Sequence, residues 1–282
     1  MAKHVNLLEG RIFSSLTRLA LPIMATALIN MAYNMVDMLW IGRAGAGPVA
    51  AVGAAGMYMW LSQGIATLGR MGGQVKVAHS LGADDPEEAG RYAQNAIQLG
   101  LLLSSLYALI MLVFNGPLID FFKLNDPSVV RDARIYLAIV SLGMVFSVVM
   151  LVFTGIITAT GNSKTPFVAT VAGLLLNIVL DPLLIFGPGP FPALGVAGAA
   201  LATVLSQALV VVLFVIYARQ DTHLFCHVHM RRRPEGRYLR EIVRIGLPTA
   251  LQSMLFTSVS MVIARLIAGW GDAAVAVQKV GS

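Results

Sequence analysis

Long apolar runs broken by short polar or Gly/Pro-rich joints organise this chain. A helix needs about 20 residues to cross a hydrocarbon core. Six runs meet that length, near 18–41, 48–69, 93–114, 134–159, 166–186 and 194–218, and a seventh extends from about 243 to about 268. Their length and continuity predict an all-α polytopic membrane protein. Gly and Pro inside the runs fit that reading, because transmembrane helices tolerate them better than soluble helices do.

The joints have their own grammar. Asp84-Asp85-Pro86-Glu87-Glu88 reads as a helix start: a capping oxygen, Pro in the first turn, and acids near the positive end of the dipole. Gly42 to Pro48 is a tight turn whose G-x-G lacks the strand and third glycine of a dinucleotide site. Gly187 to Pro192 is a rigid link. Arg70, Lys76 and His79 follow the second run and are expected to reach the interface as snorkelling cations, a substrate or lipid contact being the alternative.

A repeat sets the larger plan. Arg18-Leu19-Ala20-Leu21-Pro22 returns 226 positions later as Arg244-Ile245-Gly246-Leu247-Pro248. In register, Met35-Val36 meets Met261-Val262, Gly45 meets Gly271, and Val49-Ala50 meets Val275-Ala276. Two related halves are a common transporter plan. Twice the offset gives about 450 residues, so the chain is expected to hold one lobe and the start of another. The predicted division is a six-helix lobe over 1–218, a basic linker over 219–242, and the opening of a second lobe over 243–282.

Composition agrees: 57% hydrophobic and 12% charged residues, with a mean hydropathy of +0.77, are far from a soluble domain with about 25% charged residues. The polar start, 1–17, has no signal-peptide core. One cysteine, Cys226, excludes an internal disulfide. With the N-terminus inside, 14 of the 20 Lys and Arg fall in inner segments. That bias predicts a cytoplasmic N-terminus, and it explains the net charge of +6 without a nucleic-acid partner. The linker's His223, Cys226, His227 and His229 match no familiar zinc spacing, so a solvated basic segment near anionic headgroups is expected.

Chemistry is expected from polar residues at membrane depth, where an acid costs roughly 2.5–3.5 kcal/mol on insertion scales. Asp37 and Asp181 meet that description. Asn30, Tyr33, Asn34 and Asp37 share one helical face by their i, i+3, i+4, i+7 spacing. Asn177 and Asp181 are four apart, and Pro182 frees the Ile178 carbonyl. Carboxylate, amide and free carbonyl are hard oxygen ligands suited to a small cation. Thr203, Ser206 and Gln207 form a further polar face, although Thr203 is as well placed to bond back to its own helix. Pro22, Pro182 and Pro248 are candidate hinges.

With these motifs in order, the sequence resembles the multidrug and toxic compound extrusion (MATE) transporters, in their bacterial MepA-like and DinF-like branch. The resemblance rests on Leu21-Pro22, Asn34-Met35-Val36-Asp37 with Ile41-Gly42-Arg43, and Leu81-Gly82-Ala83-Asp84. It continues in Gly161-Asn162-Ser163-Lys164, in Asn177 to Pro182, and in Gly195 to Ala200. It implies two six-helix bundles around a central cavity, exporting organic, often cationic, compounds in exchange for Na⁺ or H⁺. It also implies a cation site at Asp37, Asn177, Asp181 and Thr203, with Asn30, Tyr33, Asn34 and Gln207 lining the cavity. The expected setting is a bacterial cell membrane, with the lipid bilayer, small organic substrates and the missing C-terminal lobe as partners.

Two other readings compete. A lipid or polysaccharide-precursor flippase of related architecture would favour a strongly cationic cavity, whereas these helix faces carry Asp, Asn, Thr and Gln. A seven-helix receptor or sensor fits the helix count but not the repeat. A membrane enzyme is disfavoured because no nucleophile–base pair occurs within the runs.

Overall fold

The computed structural model describes residues 12–187 and 193–268. Every long element among them is a helix: α1 (Ile12–Ala44), α2 (Ala46–Gly82), α3 (Pro86–Val113), α5 (Pro127–Ala159), α6 (Lys164–Phe186), α7 (Val196–Gln220) and α8 (Gly236–Ala268). The short α4 (Asn115–Asp120) lies between α3 and α5. Six of these helices, α2, α3, α5, α6, α7 and α8, are long and apolar enough to cross a membrane. The fold is therefore the expected all-α membrane bundle. The second-copy positions Gly271, Val275 and Ala276 lie outside the described residues, as does 188–192 in the rigid link.

Local sequence sets the helix ends. Asp85 caps α3 by accepting from the Glu88 amide at 2.9 Å, with Pro86 in the first turn. Asp126 caps α5 and accepts from the Ser128 hydroxyl at 2.7 Å and amide at 2.8 Å. Those bonds, the hydroxyl's above all, hold its carboxyl below the usual range. α1, α6 and α8 run through Pro22, Pro182 and Pro248 without a break. Pro22 has no amide hydrogen to give the Arg18 carbonyl, and its own carbonyl accepts from Thr26 Oγ1 at 2.8 Å.

α2 is the central post, packed against α3, α5 and α8, while α6 pairs with α7 and α1 lies mainly on α6. Two apolar cores stack along the bundle. One gathers Tyr58, Tyr107, Phe122, Tyr136 and Met144. The other gathers Tyr92, Phe153, Phe214, Phe225 and Ile242, at the end carrying the α7–α8 connector. The α2–α8 contact depends on missing side chains. A Cβ on Gly72 would overlap the Ile242 carbonyl, and one on Gly246 would overlap the Leu68 carbonyl. Backbones this close maximise dispersion contacts where no hydrophobic effect separates helix from lipid.

Two details differ from the sequence reading. The polar extension of the second run is the last third of α2 itself, and Lys76 there is held rather than free: it pairs with Glu241 of α8. α8 starts at Gly236, so the connector after α7 is short and includes a single 3-10 turn, Phe225–His227. It is also partly anchored: Leu224 and Phe225 are buried, while Arg231, Arg232 and Arg233 are exposed. Among the described residues no three His, Cys, Asp or Glu side chains gather in a metal-binding group.

Candidate functional site

Three helices bring the predicted polar residues together. α6 buries the stripe Pro166, Ala169, Gly173, Asn177, Asp181 and Ile185, at helical spacing on one face. α7 buries Thr203 and Ser206, and α1 turns Asp37 inward while its Leu21, Met24, Leu28, Met31, Met35 and Leu39 stay exposed. Asn177 and Asp181 are 0% exposed, Thr203 5% and Asp37 8%. All four positions of the expected cation site therefore lie inside the bundle.

Their bonding leaves oxygen atoms over. Asn177 Nδ2 donates to Asp181 Oδ1 at 3.2 Å. Asp181 Oδ2 and Asn177 Oδ1 are buried without a hydrogen-bond partner. Thr203 Oγ1 donates to the Ala199 carbonyl at 3.0 Å, the back-bond the sequence allowed, and its lone pairs remain for an acceptor role. Asp37 and Asp181 interact electrostatically although they come from different helices. Two carboxylates in a dry pocket repel strongly unless a cation or proton shares the space.

Tyrosines complete the group. Tyr33, one turn before Asp37, interacts electrostatically with both carboxylates and lies close to Thr203. Tyr136 of α5, 4% exposed, interacts electrostatically with Asp37, Tyr33 and Asp181. Sequence reasoning passed over Tyr136, since it sits in an apolar stripe with Ala133, Leu137 and Val140. The available signal was its hydroxyl, which seeks a partner when buried.

Other expected residues divide. Gln207 is half-buried, and its Oε1 is sequestered without a partner, as is Ser206 Oγ. Asn34 is exposed, one position round α1 from Tyr33, so it is not in this pocket. Contact with α6 covers too narrow a face of α1 to bury the whole predicted stripe. The Asn30 side chain lies outside the described residues.

An all-helical membrane bundle with a buried pair of acids between its helices has the build of a secondary transporter lobe. The MatE family profile matches residues 22–183, and the chain belongs to that family. It is 29% identical over 272 residues to the probable multidrug resistance protein NorM of Thermotoga maritima, covering 94% of this chain and 57% of that protein. It is 24% identical over 269 residues to the multidrug export protein MepA of Staphylococcus aureus, covering 95% and 58%. Among solved structures it resembles an outward-facing MATE transporter at TM-score 0.79 and 30% identity, covering 90% of this chain and 55% of that one. It resembles an inward-facing MATE transporter at TM-score 0.80 and 27% identity, covering 94% and 60%. The chain thus spans less than two thirds of these relatives. Membership of a transporter family sets aside the receptor reading.

Proposed function

We propose that this chain supplies the ion-coupling half of an exporter that exchanges small organic, often cationic, compounds for Na⁺ or H⁺ across a bacterial cell membrane, with its N-terminus in the cytoplasm. The observation that carries the reading is the pair Asp37 and Asp181, buried on separate helices and interacting electrostatically, with unpartnered oxygens on Asp181 and Asn177. The names of the relatives support export of drugs.

The residues fit a small hard cation as transported ion. Asp37, Asp181, Asn177 and Thr203 offer only oxygen, which suits Na⁺. A proton would occupy the same carboxylates, so the two ions compete. Occupancy ties α1 to α6. Its loss leaves α1 resting on α6 with mutually repelling acids, and Pro22 supplies a place for α1 to bend. Substrate and ion then act on one two-state element, each shifting its population according to differential affinity. Similar likeness to inward- and outward-facing structures supports a lobe that keeps its fold while the cleft changes side. Carboxylates and amides in the pocket argue against a lipid phosphate as cargo.

The test is export of a fluorescent organic cation from pump-deficient cells carrying the complete transporter. Asp37→Asn and Asp181→Asn are each expected to abolish export with membrane levels unchanged. Undiminished export by both variants would overturn the assignment.

A further inference from the structure

We propose that Arg70 marks a binding site for the phosphate of an anionic phospholipid, on the face of α2 beside Gly155 of α5. This site is separate from the carboxylate pocket and does not depend on the transport reading. Arg70 is half-buried, with its Nε sequestered and lacking a hydrogen-bond partner. Among the described residues its guanidinium pairs with no carboxylate; at the same end Glu241 is engaged by Lys76 and Arg237, and Glu87 by Arg91. A partly desolvated cation left in that state is costly, and an anion relieves the cost.

The surroundings are shaped for it. At Gly155 of α5, a Cβ would stand 2.9 Å from Arg70 Cγ and 3.0 Å from the Arg70 carbonyl, so glycine there makes room for the arginine stem. Trp60, Gln63, Thr67, Arg70 and Gln74 follow one face of α2 at i, i+3, i+7, i+10 and i+14, and none is buried. Gln74, one turn on from Arg70 and also beside Gly155, can donate amide hydrogens near the guanidinium fork. Thr67 gives its own hydroxyl hydrogen to the Gln63 carbonyl at 2.8 Å.

Depth selects a lipid over free phosphate. Gly155 is four residues from the end of α5 at Ala159, about one helical turn. Gly72, two residues beyond Arg70, meets Ile242 near the start of α8. Arg70 therefore lies within about a turn of the end of α5 and towards the start of α8, on the headgroup side of the bundle, while α2 itself runs on to Gly82. Trp60, 44% exposed, is ten residues deeper along the same face, about 15 Å, and offers an apolar wall for an acyl chain. A guanidinium binds phosphate through two parallel hydrogen bonds, which a lysine cannot reproduce.

Native mass spectrometry of the purified chain in detergent tests this, using phosphatidylglycerol, the matching diacylglycerol, and inorganic phosphate. One phosphatidylglycerol is expected to be retained, with at least tenfold weaker binding in Arg70→Gln and an intermediate loss in Arg70→Lys. Trp60→Ala is expected to weaken phosphatidylglycerol binding severalfold, and diacylglycerol to bind no more than weakly. Simultaneous Arg231→Gln, Arg232→Gln and Arg233→Gln should leave the single lipid in place. Wild-type retention in both Arg70 variants would overturn the site. Loss in the connector variant alone would move it to the basic surface. Equal binding of inorganic phosphate with no Trp60 effect would overturn the lipid assignment.

Discussion

Lys76 of α2 and Glu241 of α8 form an ion pair between residues 165 positions apart in sequence, joining the first repeat to the start of the second. Tyr92 of α3 donates its hydroxyl to the same carboxylate at 2.5 Å, and Lys76 lies 5.1 Å from the centre of the Tyr92 ring. The pair is partly shielded, with side chains 25% and 31% exposed, so losing one member strands a charge. Lys76→Gln is expected to cost about 1–2 kcal/mol, between surface and buried pairs. For a chain of this size that lowers Tm by roughly 2–8 °C. Thermal unfolding in detergent checks this. The swap Lys76→Glu with Glu241→Lys should recover part of the loss, and no recovery would show that the carboxylate acts through Tyr92 alone.

The same seam predicts a steric effect. Gly72→Ala places a methyl group on the Ile242 carbonyl, and neither backbone can yield without shifting a helix. A loss of about 1–3 kcal/mol is expected, as for other overpacked sites. Gly82→Ala is the control, because its Cβ meets nothing within 4 Å. Equal Tm values for the two variants would contradict the close approach of α2 and α8.

The carboxylate pocket makes a prediction about ligand-dependent stability. If Na⁺ binds at Asp37 and Asp181, NaCl should raise Tm more than choline chloride at equal ionic strength. At one hundred times Kd the stabilisation is about 2.7 kcal/mol. Asp181→Asn should abolish the Na⁺-specific increment, since it removes the charge from a carboxylate whose Oδ2 is buried without a partner. Tyr136→Phe should weaken it severalfold by removing a buried hydroxyl beside both acids. An undiminished increment in Asp181→Asn would remove Asp181 from the ion site.

How much of this could be read from sequence depended on range. The Asp85 cap was legible because all its partners lie within four residues. Asp37 and Asp181 were legible because an acid inside an apolar run needs a partner, although the run does not identify it. That Asn34 stays exposed while Asp37 is buried was not legible, because periodicity defines a face without showing how much of it a neighbour covers. Tyr136 and the Lys76–Glu241 pair were not legible, since both depend on which distant helices pack together.

The connector carries the last prediction. Phe225, 8% exposed, stacks on Phe153 of α5 at 5.8 Å between ring centres and meets Tyr217 of α7 edge-on at 6.2 Å. Asp221 accepts from the Leu224 and Phe225 amides at 2.8 and 2.9 Å, fixing the turn that presents the ring. The following residues are held through α3: Gln98 donates to the Arg232 carbonyl at 2.8 Å, and Asn95 accepts from the Glu235 amide at 2.8 Å. The basic run Arg231-Arg232-Arg233 is thus exposed in side chain but tethered in backbone. Phe225→Ala removes the apolar anchor at a cost of about 3 kcal/mol. Because the α3 tethers are polar and partly exposed, they should not hold the connector alone. Limited trypsin digestion should then cut at Arg231–Arg233 at least tenfold faster in Phe225→Ala than in the parent chain. Phe225→Leu should retain most of the protection. Equal cleavage of parent and Phe225→Ala would show that the α3 hydrogen bonds suffice.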